Sequence, residues 1–357
     1  MYEFSLQCPV VFGVNSMDTL AKRITGLTAP SSVKRFLLVT SQIMEWNRSM
    51  ICDLKQNLSK ESFTAVVFDG VEPNPTTDNI EQGKIVYGAE ECDGVIAFGG
   101  GSPIDASKII ADETRASIFI TIPTTSGTGS EISPWSVITA AGSNEKISLC
   151  TRIPDLALLD PQLTITMPPA LTFSTGMDAF SHAVEAYVSS SSNGFTDGLS
   201  FESMQLILRS FKAAVKDGRN LDARKDMQEA SLLAGAAMMH AGLGLSHAMA
   251  NTIGGFYHGS VHGWLIAQTL EAVCDFNRDA VPDKYRRIEP IVKQVMTQAG
   301  QMVENLSLTR DVLEKDHFKS IVEKSTSNVN STTNPRKFTK EDLEKLLNSC
   351  FEWKCKS

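Results

Sequence analysis

The chain has 357 residues, 42% hydrophobic and 21% charged, with a net charge of −8; this ordinary globular composition excludes a disordered polymer, and a length beyond one compact core predicts two domains. The acidic excess is spread out and no Lys/Arg block could neutralise a run of phosphates, so nucleic acid is excluded as a partner. Seven cysteines, Cys8, Cys52, Cys92, Cys150, Cys274, Cys350 and Cys355, are odd in number and lack CxxC spacing, as expected of reduced thiols in the cytoplasm, and the start MYEFSLQCPV lacks the basic and apolar regions of a secretory signal.

In chain order, residues 33–40 (VKRFLLVT), 63–68 (FTAVVF), 94–98 (GVIAF) and 118–122 (IFITI) each read as a buried strand bounded by turn residues, with helical stretches such as 78–90 between them. Strand and helix alternating at this spacing predict a parallel, doubly wound α/β sheet, whose ligands sit beyond the carboxyl ends of the strands. After Asp160-Pro161 the texture changes: Met167-Pro168-Pro169 breaks the pattern and helical periodicity follows from Thr172, which puts a domain boundary near residue 165. Residues 231–256 are long and rich in small apolar side chains, but His240, His247 and several glycines make them a buried helix pair rather than a membrane span. The serines at 189–192 and the Ser/Thr/Asn-rich 325–334 read as surface loops, and KEDLEKLLNSCF as an amphipathic final helix capped by Thr339.

Two loops carry a phosphate signal. GVIAF runs into Gly99-Gly100-Gly101-Ser102-Pro103-Ile104-Asp105 and then a helix, so glycines let the backbone approach a diphosphate while the helix start supplies free N–H groups. A GGGS turn alone fits a tight strand-to-helix connection equally well, and it does not match GxGxxG. The next strand ends in Pro123-Thr124-Thr125-Ser126-Gly127-Thr128-Gly129-Ser130-Glu131, and two such loops on consecutive strands favour a dinucleotide site.

The second half carries a metal signal. Asp178 and His182 stand four apart on a predicted helix, which places both on one face; His247 and His262 follow across a glycine-containing turn. Three imidazoles and a carboxylate suit Zn²⁺ or Fe²⁺, with a position open for a substrate oxygen. An Asp–His pair at this spacing is more often an ordinary surface pair, but histidines clustered at glycine-rich helix ends need partners, and a shared ion supplies one. His240 and His317 read as packing or solvated residues.

Together, EPNPT at 72–76, GGGSPIDASK at 99–108, PTTSGTGSE at 123–131, GMDAFSHAVEAY at 176–187, GLGLSHAMANTIGGFY at 242–257 and Asn334-Pro335-Arg336 resemble the iron-containing (group III) alcohol dehydrogenase family across almost the whole chain. The resemblance implies an α/β dinucleotide-binding domain over 1–165, an all-helical metal-binding domain over 166–357, the architecture shared with dehydroquinate synthase, and catalysis in the cleft between them. It implies NAD(P)H as cofactor, a bivalent metal on Asp178, His182, His247 and His262, and cofactor contacts at Asn74, Gly100, Gly101, Ser102, Thr124, Thr125, Ser133, Lys146 and Leu163, with Asp105 in the same loop. It also implies a homo-oligomer, dimeric or larger, acting on a small alcohol or aldehyde.

Three departures carry consequences. Where the family commonly has a His four positions after the third ligand, this chain has Asn251, which leaves His258, or a water chain through the cofactor ribose, as proton relay. The stretch before the last ligand is one residue longer, so His258 competes with His262 for that role; Gly263 after it favours His262. Ser41 follows the first predicted strand where NAD-preferring members carry an Asp, and without that carboxylate NADPH use at least comparable with NADH is expected. Trp135, Phe256 and His258 are candidates for lining the substrate pocket. The rival readings are a dehydroquinate-synthase-like NAD- and metal-dependent lyase and a non-catalytic binding protein that has kept the fold.

Overall fold

The computed structural model describes residues 2–27, 33–140, 146–257 and 259–354, which divide into two compact units: Ser5–Thr166, and Met167–Ser357 together with Met1–Phe4. The first unit runs β1 (Val10–Phe12), α1 (Leu20–Leu27), β2 (Arg35–Ser41), α2 (Glu45–Ser59), β3 (Thr64–Val71), α3 (Thr77–Ala89), β4 (Gly94–Gly99), α4 (Gly101–Glu113), β5 (Ile118–Pro123), β6 (Trp135–Thr139), β7 (Lys146–Cys150) and β8 (Leu156–Leu159). Six strands form one parallel sheet in the order β1-β8-β5-β4-β2-β3, while β6 and β7 form a separate antiparallel ribbon.

Parallel neighbours need crossover connections, and the crossover helices cover both faces of the sheet. In β2, Phe36 and Leu38 join Leu20, Ile24, Leu54 and Leu58 in one core, and the alternate residues Leu37 and Val39 join Ile80, Ile104 and Ile110 in another. Burial on both sides explains why these strands read as continuous apolar runs. At the carboxyl ends, Gly99 of β4 lies in register with Pro123 of β5, so the two glycine-rich loops leave the sheet side by side.

The second unit runs α5 (Pro169–Val188), α6 (Gly194–Lys216), α7 (Leu221–Ala241), α8 (Leu245–Phe256), α9 (His262–Asn277), α10 (Pro282–Asn305), β9 (Val312–Glu314), α11 (Phe318–Ser327), α12 (Lys340–Cys350) and β10 (Glu352–Lys354). To the expected helices it adds one parallel ribbon, β9 with β10. Helix α5 starts on Pro169, where a missing N–H costs nothing because first-turn amides lack an intrahelical acceptor. Its Phe173, Met177, Phe180 and Val184 pack with Ile207, Phe211 and Leu270, and a Cβ on Gly176 would stand 2.4 Å from the Phe211 ring, so only glycine allows α6 this close.

The apolar stretch 231–256 breaks at Gly242, whose φ of 73° separates α7 from α8. No described helix is long and apolar enough to cross a membrane. Thr339 caps α12, its hydroxyl accepting from the Asp342 N–H at 3.2 Å. The expected surface loop at 325–334 is a correction: α11 continues to Ser327, a 3-10 turn spans Val329–Thr333, and Ser325, Ser331 and Asn334 are buried. The polarity of two of them is answered internally, with Asn334 and Asn277 exchanging two carboxamide bonds of 2.9 Å and Ser331 donating to the Asn328 carbonyl at 2.7 Å. Ser189, expected in a surface loop, is likewise buried and donates to the Ala241 carbonyl.

Candidate cofactor loops and metal centre

In the α/β unit, the loop between β4 and α4 is shaped by what its glycines must avoid. A Cβ at Gly100 would lie 3.1 Å from Thr125 Cγ2, and one at Gly101 would lie 2.9 Å from Thr128 Cγ2, so the two loops pack as a pair. This close packing accounts for the glycines without a ligand. Other features point to one. Helix α4 has Gly100 as its N-cap with no side-chain cap, leaving first-turn amides without a side-chain acceptor. The Ser126 hydroxyl is buried and has no hydrogen-bond partner among the described residues. Asn74 holds a left-handed conformation, φ 57°, and its N–H donates to Ser102 Oγ at 3.3 Å, tying the EPNP turn to the GGGS loop.

The remaining cofactor candidates spread over the same unit. Thr124 is buried and its N–H donates to the Gly99 carbonyl at 2.9 Å, Ser133 Oγ accepts from the Trp135 N–H at 3.0 Å, Lys146 opens β7, and Leu163 sits in the core beside β8. Ser41 closes β2, and the nearby Asp69 carboxylate accepts from the Ile43 N–H at 3.4 Å. Asp105 is occupied internally: one carboxylate oxygen accepts from Ser130 Oγ at 2.5 Å and Lys108 Nζ at 3.4 Å, the other from the Val137 N–H at 3.0 Å. Fully buried Lys108 also donates to Ser130 Oγ at 2.5 Å and to the Trp135 carbonyl at 2.6 Å. Asp105 and Lys108 thus brace the Thr-rich loop and the β6–β7 ribbon. Burial pulls the Lys146 ammonium below its usual range, with Asp105 opposing.

In the helical unit, three imidazoles converge on one carboxylate oxygen. Asp178 Oδ1 lies 3.5 Å from His182 Nε2, 3.4 Å from His247 Nε2 and 3.5 Å from His262 Nε2. Asp178 and His182 share a face of α5, His247 lies in the first turn of α8, and His262 is the first residue of α9. Two ligand atoms each about 2.1 Å from a tetrahedral ion stand about 3.4 Å apart, and the ligand atoms of Asp178, His247 and His262 all lie within 4.8 Å of one another, with His182 joined to the group through its approach to Asp178. Among the described residues Asp178 Oδ1 and His247 Nε2 are buried without a hydrogen-bond partner, a costly arrangement that a bound cation relieves. The residues therefore fit a bivalent metal. Asp178, His182 and His247 are buried whereas the His262 side chain is 32% exposed, so the group opens on the His262 side.

Burial works against the Asp178 carboxylate, yet His182, His247 and His262 together hold it well below the usual range. Burial drives His182 down to about 4 against the pull of Asp178, which keeps the ring neutral with its lone pair available. At His247, burial pulls downward but Glu185 and Asp178 more than offset it and raise the ring to about 9. The two carboxylates make this position attractive to a cation, whether a proton or a metal ion.

Glu185 and Gly244 were not singled out in the sequence, and Gly263 was singled out only as a mark of the last ligand, with no packing role. Glu185 is buried, with Oε2 bonded to His247 Nδ1 and Oε1 accepting from the Ser246 N–H at 2.8 Å. It stands seven residues after Asp178 on the same face of α5, a spacing visible in GMDAFSHAVEAY. Gly244 leaves it room, since a Cβ there would stand 2.8 Å from Glu185 Oε1. Gly263 lets the start of α9 touch α5, since its Cβ would fall 1.9 Å from the Ser174 carbonyl oxygen. Asn251 lies one turn beyond His247 on α8 and is half-buried. The Phe256 ring lies tilted against His317, 5.0 Å between ring centres, and His317 Nδ1 lies 3.1 Å from the Tyr257 hydroxyl. His258 lies outside the described residues.

Comparison with known proteins agrees with both halves of the chain. Residues 9–161 match the family model described as iron-containing alcohol dehydrogenase, and residues 172–351 match that of the Fe-containing alcohol dehydrogenase family, C-terminal. The 1,3-propanediol dehydrogenase of Klebsiella pneumoniae is 32% identical, the match covering 98% of this chain and 99% of that protein. The 1-propanol dehydrogenase of Citrobacter freundii is 37% identical over 78% of this chain and 74% of its own. The solved alcohol dehydrogenase from Oenococcus oeni superposes with a TM-score of 0.86 at 30% identity, covering 98% of this chain and all of that one. With its sequence matched in both halves, its fold shared and three imidazoles gathered on one carboxylate by α5, α8 and α9, the chain belongs to the iron-containing alcohol dehydrogenase family.

Proposed function

We propose that this dehydrogenase interconverts short primary alcohols and their aldehydes, three-carbon substrates among them, with its metal held by Asp178, His182, His247 and His262. The observation that carries the reading is the meeting of three imidazoles on Asp178 Oδ1, buried and otherwise without a partner among the described residues. A Zn²⁺ or Fe²⁺ ion bound there supplies Lewis-acid polarisation of a substrate oxygen. The reduced nicotinamide supplies the hydride. The names of the propanediol and propanol dehydrogenases support the substrate class.

The chain's own residues divide the remaining work. Residues 1–165 bind the dinucleotide and 166–357 hold the metal. Gly100, Gly101 and Ser102, with Thr124 and Thr125 alongside, receive the diphosphate; Asn74, Ser133, Lys146 and Leu163 complete the contacts, and Asp105 acts by bracing the second loop. Ser41 at the end of β2 accepts either adenosine ribose, so NADPH is used at least as well as NADH; a strong NADH preference in steady-state kinetics overturns this. Asn251 is an amide with no proton to give at neutral pH, and proton delivery falls to His258 or to a water chain through the cofactor ribose. The enzyme works as a homo-oligomer in the cytoplasm, a compartment that suits its free thiols at Cys8, Cys52, Cys92, Cys150, Cys274 and Cys350.

The test is NAD(P)H absorbance with acetaldehyde, propanal and 3-hydroxypropanal, using protein reconstituted with Fe²⁺ or Zn²⁺ and a chelated control. Metal-dependent oxidation of the cofactor is expected. A metal-replete protein that consumes no NAD(P)H with any of the three refutes the reading.

A further inference from the structure

We infer that Glu185 is the positioning residue of the metal centre: by accepting the Nδ1 proton of His247 it fixes that ring in the tautomer whose Nε2 faces Asp178. This rests on the metal-site reading above. The two oxygens of Glu185 have separate tasks, one bonded to His247 Nδ1 and the other accepting from the Ser246 N–H at 2.8 Å. A carboxylate can accept at both positions, whereas a carboxamide must turn its NH₂ toward one of the two donors. The main-chain N–H of Ser246 cannot change sides. A glutamine would therefore present its NH₂ to His247 and favour the tautomer with the proton on Nε2, where no metal can bind.

Three further observations place Glu185 in this role. Helix α8 starts at Gly244 without a side-chain cap of its own, so Glu185, reaching across from α5, supplies the anion at the helix start that carries His247. A Cβ on Gly244 would stand 2.8 Å from Glu185 Oε1, so the backbone at that point is bare where the carboxylate approaches. The charges also balance: Asp178 and Glu185, both buried, neutralise a bivalent ion surrounded by neutral imidazoles, which is the condition for keeping such an ion out of water. Glu185 touches neither substrate nor cofactor in this account. It acts through His247.

The experiment measures Zn²⁺ affinity of the full-length chain by competition with a chromophoric chelator, for wild type, Asp178→Asn and Glu185→Gln, with melting curves of zinc-loaded and chelated forms. Glu185→Gln is expected to bind Zn²⁺ about 10- to 100-fold more weakly, and to lose most of the zinc-dependent rise in melting temperature. A role confined to capping α8 predicts instead that both forms melt lower by the same amount while affinity stays at the wild-type value, and that result overturns the inference. A second readout does not need the variant to fold: in zinc-loaded wild type labelled with ¹⁵N-histidine, the ring assigned to His247 should carry its proton on Nδ1. A proton found on Nε2 overturns the inference. Failure of wild type to bind Zn²⁺ at all, with Asp178→Asn indistinguishable from it, rejects the metal-site reading itself, and the two failures are thereby told apart.

Discussion

Replacing Gly263 with alanine places a methyl group 1.9 Å from the Ser174 carbonyl oxygen and 2.6 Å from its carbon, where unstrained contact begins near 3.4 Å. The obstacle is the main chain of the buried helix α5, which has no rotamer to escape into, so the start of α9 must retreat by about 1.5 Å or tilt. Ser174 stands one helical turn before Asp178, and Gly263 follows His262 directly; the retreat is thus applied at the contact between two proposed ligands that now stand 3.5 Å apart. Overpacking of this kind costs about 3 kcal/mol, the upper part of the usual range, which for a unit of this size lowers the melting temperature by about 6–12 °C. Coordination distances tolerate only a few tenths of an ångström, and a displacement of about 1 Å near the chemistry costs about 100-fold in kcat/KM. Calorimetry of the metal-loaded chain, elemental analysis after dialysis and steady-state kinetics read the three consequences. Gly259→Ala is the control on the same connection, since a Cβ there meets nothing within 4 Å. If Gly263→Ala melts with wild type and keeps full metal content, the close approach of α9 to α5 does not set the ligand geometry and the reasoning fails.

Asp178→Asn keeps the volume and removes the charge on which the three histidines converge, so it is expected to lose bound metal and turnover together while remaining folded; stoichiometric metal in the dialysed variant contradicts the site. Gly101→Ala brings a methyl 2.9 Å from Thr128 Cγ2 and pushes the two loops apart; the cofactor KM should rise about tenfold or more with metal content unchanged, and an unaltered KM removes the diphosphate from this loop. Burial pushes the Glu131 carboxyl up from 4.5 to about 7, against its own backbone N–H and Lys108. The folded chain therefore holds this proton more tightly than the unfolded one, and the associated stability is complete below about pH 4.5 and lost as pH rises through about 7, amounting to about 3 kcal/mol. Melting temperatures of wild type and Glu131→Gln should accordingly converge on the acid side and separate in favour of the variant toward pH 8; parallel curves contradict the shift.

The sequence was most legible where one residue's requirement shows in its own neighbourhood. The strands β2, β4 and β5 are covered on both faces, so alternation disappears and an apolar run such as FLLV stands out, whereas β3, expected to be buried, lies at the sheet edge with its apolar residues only partly covered. Asp178 and His182 were readable because helical spacing alone places them on one face. Requirements that arise between distant segments were hidden: nothing in HGWLIAQ shows that Gly263 must clear Ser174, and Glu185 in HAVEAY looks like any helical glutamate until Ser246 and His247 arrive beside it. Asp105 showed the converse, since a motif carboxylate beside a glycine loop reads as a cofactor contact although its oxygens are engaged by Ser130, Lys108 and Val137. The β6–β7 ribbon, with its exposed Trp135 and Leu149, lacks the apolar density that marked the main sheet. The stretch 325–334 misled because a carboxamide pair and a hydroxyl satisfied inside the protein have the same composition as polar groups facing water.

Phe4 stacks on Phe195, 5.2 Å between ring centres, and lies 4.4 Å from the His240 ring, so the opening residues of the chain belong with the helical unit while the α/β unit follows them in sequence. During synthesis Phe4 leaves the ribosome long before either aromatic partner exists, and the entire α/β unit can fold in the interval. The helical unit therefore waits for α6 and α7 before it can take up a segment made ahead of the α/β unit. Closing so long a span adds only about 0.6 kcal/mol for each doubling of loop length, which makes the delay a matter of timing more than of stability.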